Sequence, residues 1–197
     1  MRPHLRLLTP ILTLILILGA HQQLRAQSIG YFLYATDQGL GPRLEGSTEN
    51  ATYKPKKAVE VLSFAFAGTK SVSFTGGSAA AEFNPLELVI QDDPNILGGL
   101  MLKMAAGNHY NDLVLEGAIT GAGGGGGNEV VFRLELKKVY VSAVNLSGTD
   151  GDRSIYNLSL EWGAMQITTW KRLPNGTLEE VPPVSWSRVL NNNTFGV

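Results

Sequence analysis

Hydrophobic residues recur at every second position through much of this chain, and a period of two belongs to pleated β-strands with one buried face. Val130, Phe132, Leu134 and Leu136 fall on one side of such a pleat, while Val131, Arg133, Glu135 and Lys137 fall on the other. Leu86, Leu88 and Ile90 share a face in the same way. Residues 154–170 repeat the pattern through Leu158, Leu160 and Trp162, with Gly163 read as a bulge before Met165 and Ile167 resume it. Between Ala58 and Phe66 the alternation puts Leu62, Phe64 and Phe66 on one face, opposite Val61, Ser63 and Ala65. Val72 and Phe74 against Ser71 and Ser73 give a further short strand, and Ile29 to Tyr34 and Leu113 to Thr120 read as strands from their apolar content and polar boundaries. Asn175-Gly176 marks a two-residue hairpin turn.

The period changes once. Leu97, Leu100, Met101 and Met104 stand at helical spacing and predict one stripe packed on the sheet. Asp93 is placed to cap this helix, Pro94 to open its first turn and Gly107 to end it. Gly98 and Gly99 inside it each cost about 1 kcal/mol relative to alanine, which suggests close backbone approach there. One helix among about eight strands predicts a mainly β protein, a two-sheet antiparallel β-barrel or sandwich with one flanking α-helix. Ala35 to Lys57 holds three glycines, two prolines and scattered charge with no sustained period; it is longer than an ordinary connection and is therefore a candidate functional loop.

The first 26 residues follow another rule. Arg2, His4 and Arg6 make a basic start, Leu7 to Leu18 is apolar apart from Thr9, Pro10 and Thr13, and Gly19 to Ala26 turns small and polar. That order is a secretory leader, and its apolar run is short of the ~20 residues a membrane-spanning helix needs. The expected organisation is a signal peptide over 1–26, one barrel domain over 27–193 and a C-terminal tail over 194–197, with the product secreted or periplasmic and free of the membrane after cleavage. Asn191 to Val197 reads as a frayed end.

Removal of Arg2, Arg6 and Arg25 changes the balance from 16 basic and 17 acidic residues to 13 and 17, a net charge of about −4 that gives nucleic acid nothing to bind. The absence of cysteine rules out a disulfide framework, and His109 is the one histidine beyond the leader. His109 follows the helix end, where it can interact with the terminal carbonyls. Gly121 to Gly127 lacks the following helix and the lysine of a phosphate loop and reads as a hairpin tip. Asp150, Asp152, Ser154, Tyr156 and Glu161 match the offsets of a calcium loop, but Ile155 occupies the position of its turn glycine. Asp92 and Asp93 are adjacent and explained by a helix start, so no catalytic pair, metal or cofactor is assigned. Trp162, Trp170 and Trp186 either pack in the core or line a face for carbohydrate. Sequons occur at Asn50, Asn145, Asn157, Asn175 and Asn192.

The order of segments resembles the Hcp tube proteins of bacterial type VI secretion. Tyr31-Phe32-Leu33 is similar to the family's first strand, Leu44-Glu45-Gly46-Ser47-Thr48-Glu49 to its Gly-Glu-Ser-Thr loop with glycine and glutamate exchanged, and Glu60-Val61-Leu62-Ser63-Phe64 to its next strand. Phe83 to Asp92, Gly107-Asn108-His109, Lys138-Val139-Tyr140-Val141-Ser142, Leu158-Ser159-Leu160 and Trp186 to Asn193 each resemble later segments in order. The resemblance implies hexameric rings that stack into a tube, a structural conduit and effector carrier without catalysis, and contacts with the secretion spike and effectors. It also implies that Leu44, Glu45, Gly46, Ser47, Thr48, Glu49 and Asn50 touch the neighbouring ring. A ring requires two different complementary patches on each subunit. The leader departs from the family, whose members leave through the contractile machine. The competing reading from the loops and tryptophans is an exported barrel that binds a carbohydrate or protein at the cell surface.

Overall fold

The computed structural model describes residues 28–70, 81–91, 93–120, 128–148, 150 and 154–197. The leader, the Val72 and Phe74 strand, Asp92, the polyglycine run and Asp152 lie outside the described residues. The strands are β1 (Ser28–Asp37), β2 (Val59–Ala65), β3 (Gly68–Thr69), β4 (Glu82–Phe83), β5 (Leu86–Gln91), β6 (His109–Thr120), β7 (Glu129–Ser147), β8 (Ile155–Glu161), β9 (Ala164–Arg172) and β10 (Leu178–Ser187). Helix α1 (Leu97–Ala106) stands between β5 and β6. Eight strands form one sheet in the order β10-β9-β7-β6-β1-β2-β5-β8, and β8 pairs again with β7. Six of them, from β7 round to β8, thereby close an antiparallel barrel, while β9 and β10 continue past it as a flap. The mainly β barrel with one flanking helix expected from the sequence is the observed fold.

The closure depends on the length of β7, 19 residues. Its first half pairs with β9, from Phe132↔Thr169 to Lys137↔Ala164, and its second half with β8, from Tyr140↔Glu161 to Ser147↔Ile155. The register is the same on both sides of Gly163, so this glycine is a corner and not the expected bulge. Lys138 opposite it takes a positive φ of 51°. The Gly163 N–H donates to Lys137 O at 2.9 Å, and the Arg188 N–H donates to Gly163 O at 2.8 Å.

Leu33, Val59, Val61, Leu86, Leu88, Ile90, Leu113, Leu115, Leu134, Leu136, Leu158 and Leu160 are buried together in the main core. Two details differ from the alternation in the sequence. Leu62 does not share a face with Phe64 and Phe66: it is 55% exposed, while Val59 and Val61 are buried and Phe64 and Phe66 pack against the core. The cause is a bulge, since Val61 opposes Ile90 and Ser63 opposes Val89, leaving Leu62 as an extra residue that reverses the inward face. In α1, Leu100 is buried and Leu97 and Met104 pack on the core, but Met101 is 45% exposed and Lys103 is fully buried. Gly107 ends the helix in the left-handed region at φ 66°, as only glycine does readily. Gly99 lies near Arg43 O and Pro42, whereas Gly98 faces open space.

The end of the chain also differs from expectation. Ser187 N–H donates to Asn192 O at 2.8 Å, Leu190 N–H donates to Ser187 Oγ at 3.0 Å, and the Lys137 ammonium lies 4.5 Å from the Phe195 ring. These contacts fold residues 188–197 back onto the barrel in place of a frayed end.

Candidate functional site: an arm fastened to the barrel wall

Barrel strands normally present a polar outer face, but β1 and β6 bury both faces. Phe32 and Tyr34 on β1 and Val114, Glu116 and Ala118 on β6 point outward yet are covered. The cover is the segment 38–58, here called the arm, which leaves β1 and returns to β2. Tyr53 of the arm is fully buried and stacks on Phe32, with ring centroids 3.9 Å apart and planes within 10°. Phe32, Tyr34, Tyr53, Ala58, Val114 and Ala118 form a second hydrophobic core outside the barrel. The unbroken apolar run in β1 follows from this two-sided burial.

Polar anchors hold the arm along its length. Gln38 clasps the backbone of Leu44: its side-chain oxygen accepts from Leu44 N–H at 2.8 Å and its amide donates to Leu44 O at 3.1 Å. The Lys103 ammonium donates to the carbonyls of Gln38 and Leu40, both at 2.8 Å, and sits 3.9 Å from the centre of the Tyr110 ring. Asp93 accepts from Ser47 N–H at 2.7 Å and from Asn95 N–H at 3.1 Å. It therefore ties the arm to the turn before α1, and the helix N-cap position falls to Ile96, without a side-chain cap. Thr48 donates to Glu60 at 2.6 Å, and Asn128 donates to Asn50 at 2.7 Å. Gly46 N–H donates to Lys57 O at 2.9 Å, and a Cβ on Gly46 would lie 2.3 Å from Ala58 O, so the two limbs of the arm meet only because residue 46 is glycine.

The strongest charge arrangement is at Glu116, whose side chain is 1% exposed. Lys56 of the arm reaches one of its oxygens at 3.2 Å, and Arg133 of β7 reaches the other at 2.7 Å. Burial would push this carboxyl upward, but the two cations outweigh it and hold the group below its ordinary range. Burial and the Glu116 charge together push the phenols of Tyr34 and Tyr53 upward. Lys56 also lies 4.3 Å and 4.9 Å from the ring centres of Tyr34 and Tyr53, and the Arg133 guanidinium lies 5.6 Å from that of Trp170.

Within Leu44 to Asn50, Leu44 and Thr48 are buried, Glu45, Gly46 and Asn50 are half-buried, and Ser47 and Glu49 are exposed. The loop alternates between anchors and presented residues. Two clefts share Ser47, Thr48 and Glu49 as a wall: one of about 290 Å³ is lined also by Val59, Glu60, Gln91 and Asp93, and one of about 470 Å³ by Glu45, Lys54, Lys57 and Asn95. Lys54 pairs with Glu49 at 2.6 Å and Lys57 with Glu45 at 2.9 Å, so the charges along this ridge are largely matched within the subunit.

The other sequence candidates are dispersed. His109 does not serve the helix carbonyls, because the N–H groups of Gly107 and Asn108 bind Met104 O and Lys103 O; its ring packs 5.1 Å from that of Tyr140. Trp162 is buried beside Phe66 and Phe83, Trp186 packs on Phe83, and Trp170 stands apart on Arg133. Of the calcium-loop positions, Tyr156 is in the core and Glu161 pairs with Arg188, and no group of three potential ligands occurs among the described residues. Glu116, Lys56, Arg133 and Lys103, which fix the arm, were not singled out from the sequence. A lone acid in an otherwise apolar strand and a lysine inside a helix repeat were the available signals.

Residues 32–169 match the family model described as Type VI secretion system effector, Hcp. The chain belongs to the Hcp family. The Hcp match begins within β1, spans the arm, its anchors and the other five strands of the closed barrel, and stops within β9. A solved structure described as a type six secretion system protein is 19% identical, with a TM-score of 0.69 over 85% of this chain and 100% of that one. Hcp1 from Salmonella typhimurium is 15% identical at TM-score 0.64, covering 85% of this chain and 99% of its own. Hcp1 from E. coli EAEC 042, a double mutant, is 13% identical at TM-score 0.57, covering 79% and 99%. At these identities the structures show the fold alone. No curated protein matches. Hcp proteins are tube proteins of the type VI secretion system, and this chain is Hcp-like in fold.

Proposed function

We propose that this chain is a non-catalytic ring subunit that is exported through its N-terminal leader and assembles into homo-hexamers. The rings stack through the tip of the arm, Leu44, Glu45, Gly46, Ser47, Thr48, Glu49 and Asn50, and the assembly takes the secretion spike and effectors as partners. The observation that carries this reading is the Hcp match over residues 32–169, which takes in all but the first four residues of the closed barrel. The fastened arm adds to it: a contact between rings requires a surface with the same shape on every subunit, and Ser47 and Glu49 stand exposed between buried neighbours. No observation favours the carbohydrate-binding alternative, since Trp170 does not join Trp162 and Trp186.

The test is native mass spectrometry and negative-stain electron microscopy on the exported chain after leader removal. The expected result is a hexameric mass, with rings that form stacks as concentration rises. A species that stays monomeric at high concentration overturns the proposal. Glu49→Lys is expected to reverse a charge at the tip and reduce stacking while leaving single rings intact.

A further inference from the structure

We infer that Glu116 is a positioning residue which locks the arm in one conformation before any ring contact is made, so that the tip docks as a rigid part of the barrel. Strand β6 offers Val114 and Ala118 on either side of Glu116 along the outer wall, and both are buried beneath the arm with Tyr53. An apolar residue at position 116 would bury equally well and would tolerate several placements of the arm. A carboxylate cannot, because it is out of water and remains charged only where cations reach it.

Those cations arrive from two directions. Arg133 comes from the neighbouring strand, with its guanidinium over Trp170, and is part of the barrel itself. Lys56 comes from the arm, in the short 3-10 turn Lys54–Lys56, and its ammonium also donates to Tyr34 OH at 3.1 Å. Sliding the arm along the wall would take Lys56 from both Glu116 and Tyr34 and expose Tyr53, so the ion pair and the stacked ring specify the same placement. Tyr53 N–H, Lys54 N–H and Lys57 N–H are bonded inside the arm, to Asn50 O, Asn50 O and Lys54 O. Their exchange therefore reports the arm separately from the barrel.

The experiment is hydrogen exchange by mass spectrometry on the leaderless chain and its Glu116→Gln variant, with stack formation followed by electron microscopy. Expected is an increase of about tenfold or more in exchange of the arm amides of Tyr53, Lys54, Lys56 and Lys57, no change in the barrel amides of β6 and β7, and a higher concentration needed for stacks. Unchanged arm exchange overturns the inference, whatever the rings do. Its stacking consequence rests on the function proposed above, and the two can fail separately. Loosened arms with undiminished stacks leave the positioning role standing and refute the tip as the stacking contact. If Glu116→Gln does not fold, Lys56→Met leaves Glu116 paired with Arg133 and carries the same expectations.

Discussion

Replacing Lys103 by methionine tests whether a fully buried lysine held by backbone carbonyls stabilises this fold. Methionine keeps an unbranched stem of similar length, so the packing of α1 is preserved and the ammonium is lost. The ammonium makes two hydrogen bonds at 2.8 Å, to Gln38 O and Leu40 O, and faces the Tyr110 ring at 3.9 Å. Hydrogen bonds to a charged group contribute about 1.5–3 kcal/mol each, and a desolvated cation–π contact about 2 kcal/mol, together roughly 5–8 kcal/mol. Taking the ammonium out of water opposes this by several kcal/mol, and burial accordingly lowers the pKa of Lys103. Two carbonyls also lose their donor, which adds about 1–3 kcal/mol for each that stays dry. The expected outcome is a loss of roughly 2–4 kcal/mol, or about 4–16 °C in Tm for a domain of this size. Urea titration followed by tryptophan fluorescence measures it, and an unchanged slope would show that the unfolded states are comparable. A variant as stable as the parent, or more so, refutes the reasoning and makes Lys103 a buried charge that merely breaks even.

The bulge at Leu62 predicts that Leu62→Ser changes stability by no more than about 0.5 kcal/mol, whereas Val61→Ala costs roughly 1–3 kcal/mol; equal effects in thermal melts would contradict the reversed face. Gly46→Ala places a Cβ 2.3 Å from Ala58 O. It is expected to displace the tip and cost at least about 1 kcal/mol, read as a lower Tm together with faster exchange of the amides at positions 46 and 48. Glu116 faces Lys56, Arg133, Tyr34 and Tyr53, and its folded-state pKa lies below the ordinary 4.5. Its stabilisation is therefore fully present above pH 4.5 and is lost as pH falls through the lower folded value. The parent should lose more stability than Glu116→Gln between pH 5 and the acid end, about as one depressed carboxyl requires; parallel acid profiles would exclude the charge as the cause.

The barrel was largely legible because β5 and the first half of β7 have one buried face, and a period of two records that directly. Leu62 was misplaced because one inserted residue reverses the face without changing the local sequence pattern. In α1 the repeat selected Met101 for its hydrophobicity and passed over Lys103, whose stem is apolar and whose charge is satisfied by carbonyls 63 and 65 residues earlier. The length of the arm marked it as unusual, but its anchoring was not readable. Glu116 and Lys56 are 60 residues apart, and nothing in either neighbourhood indicates the other. Asp93 illustrates the same limit: its position suited a helix cap, and its carboxylate instead binds Ser47 N–H, 46 residues away.

Among the described residues of the eight-stranded sheet, closure of the barrel leaves β10 paired with β9 alone, and that strand carries Pro182 and Pro183 where its register with β9 shifts between Val181 and Val184. Two consecutive residues without N–H groups interrupt the row of donors that an incoming strand would need. Copies of this chain at high local concentration are thereby denied the simplest route to endless cross-β growth, the addition of one backbone edge to another. Association is directed to side-chain surfaces, whose angles can close on themselves. The stacked rings proposed above would have to grow without becoming amyloid, and two prolines at that place serve that end.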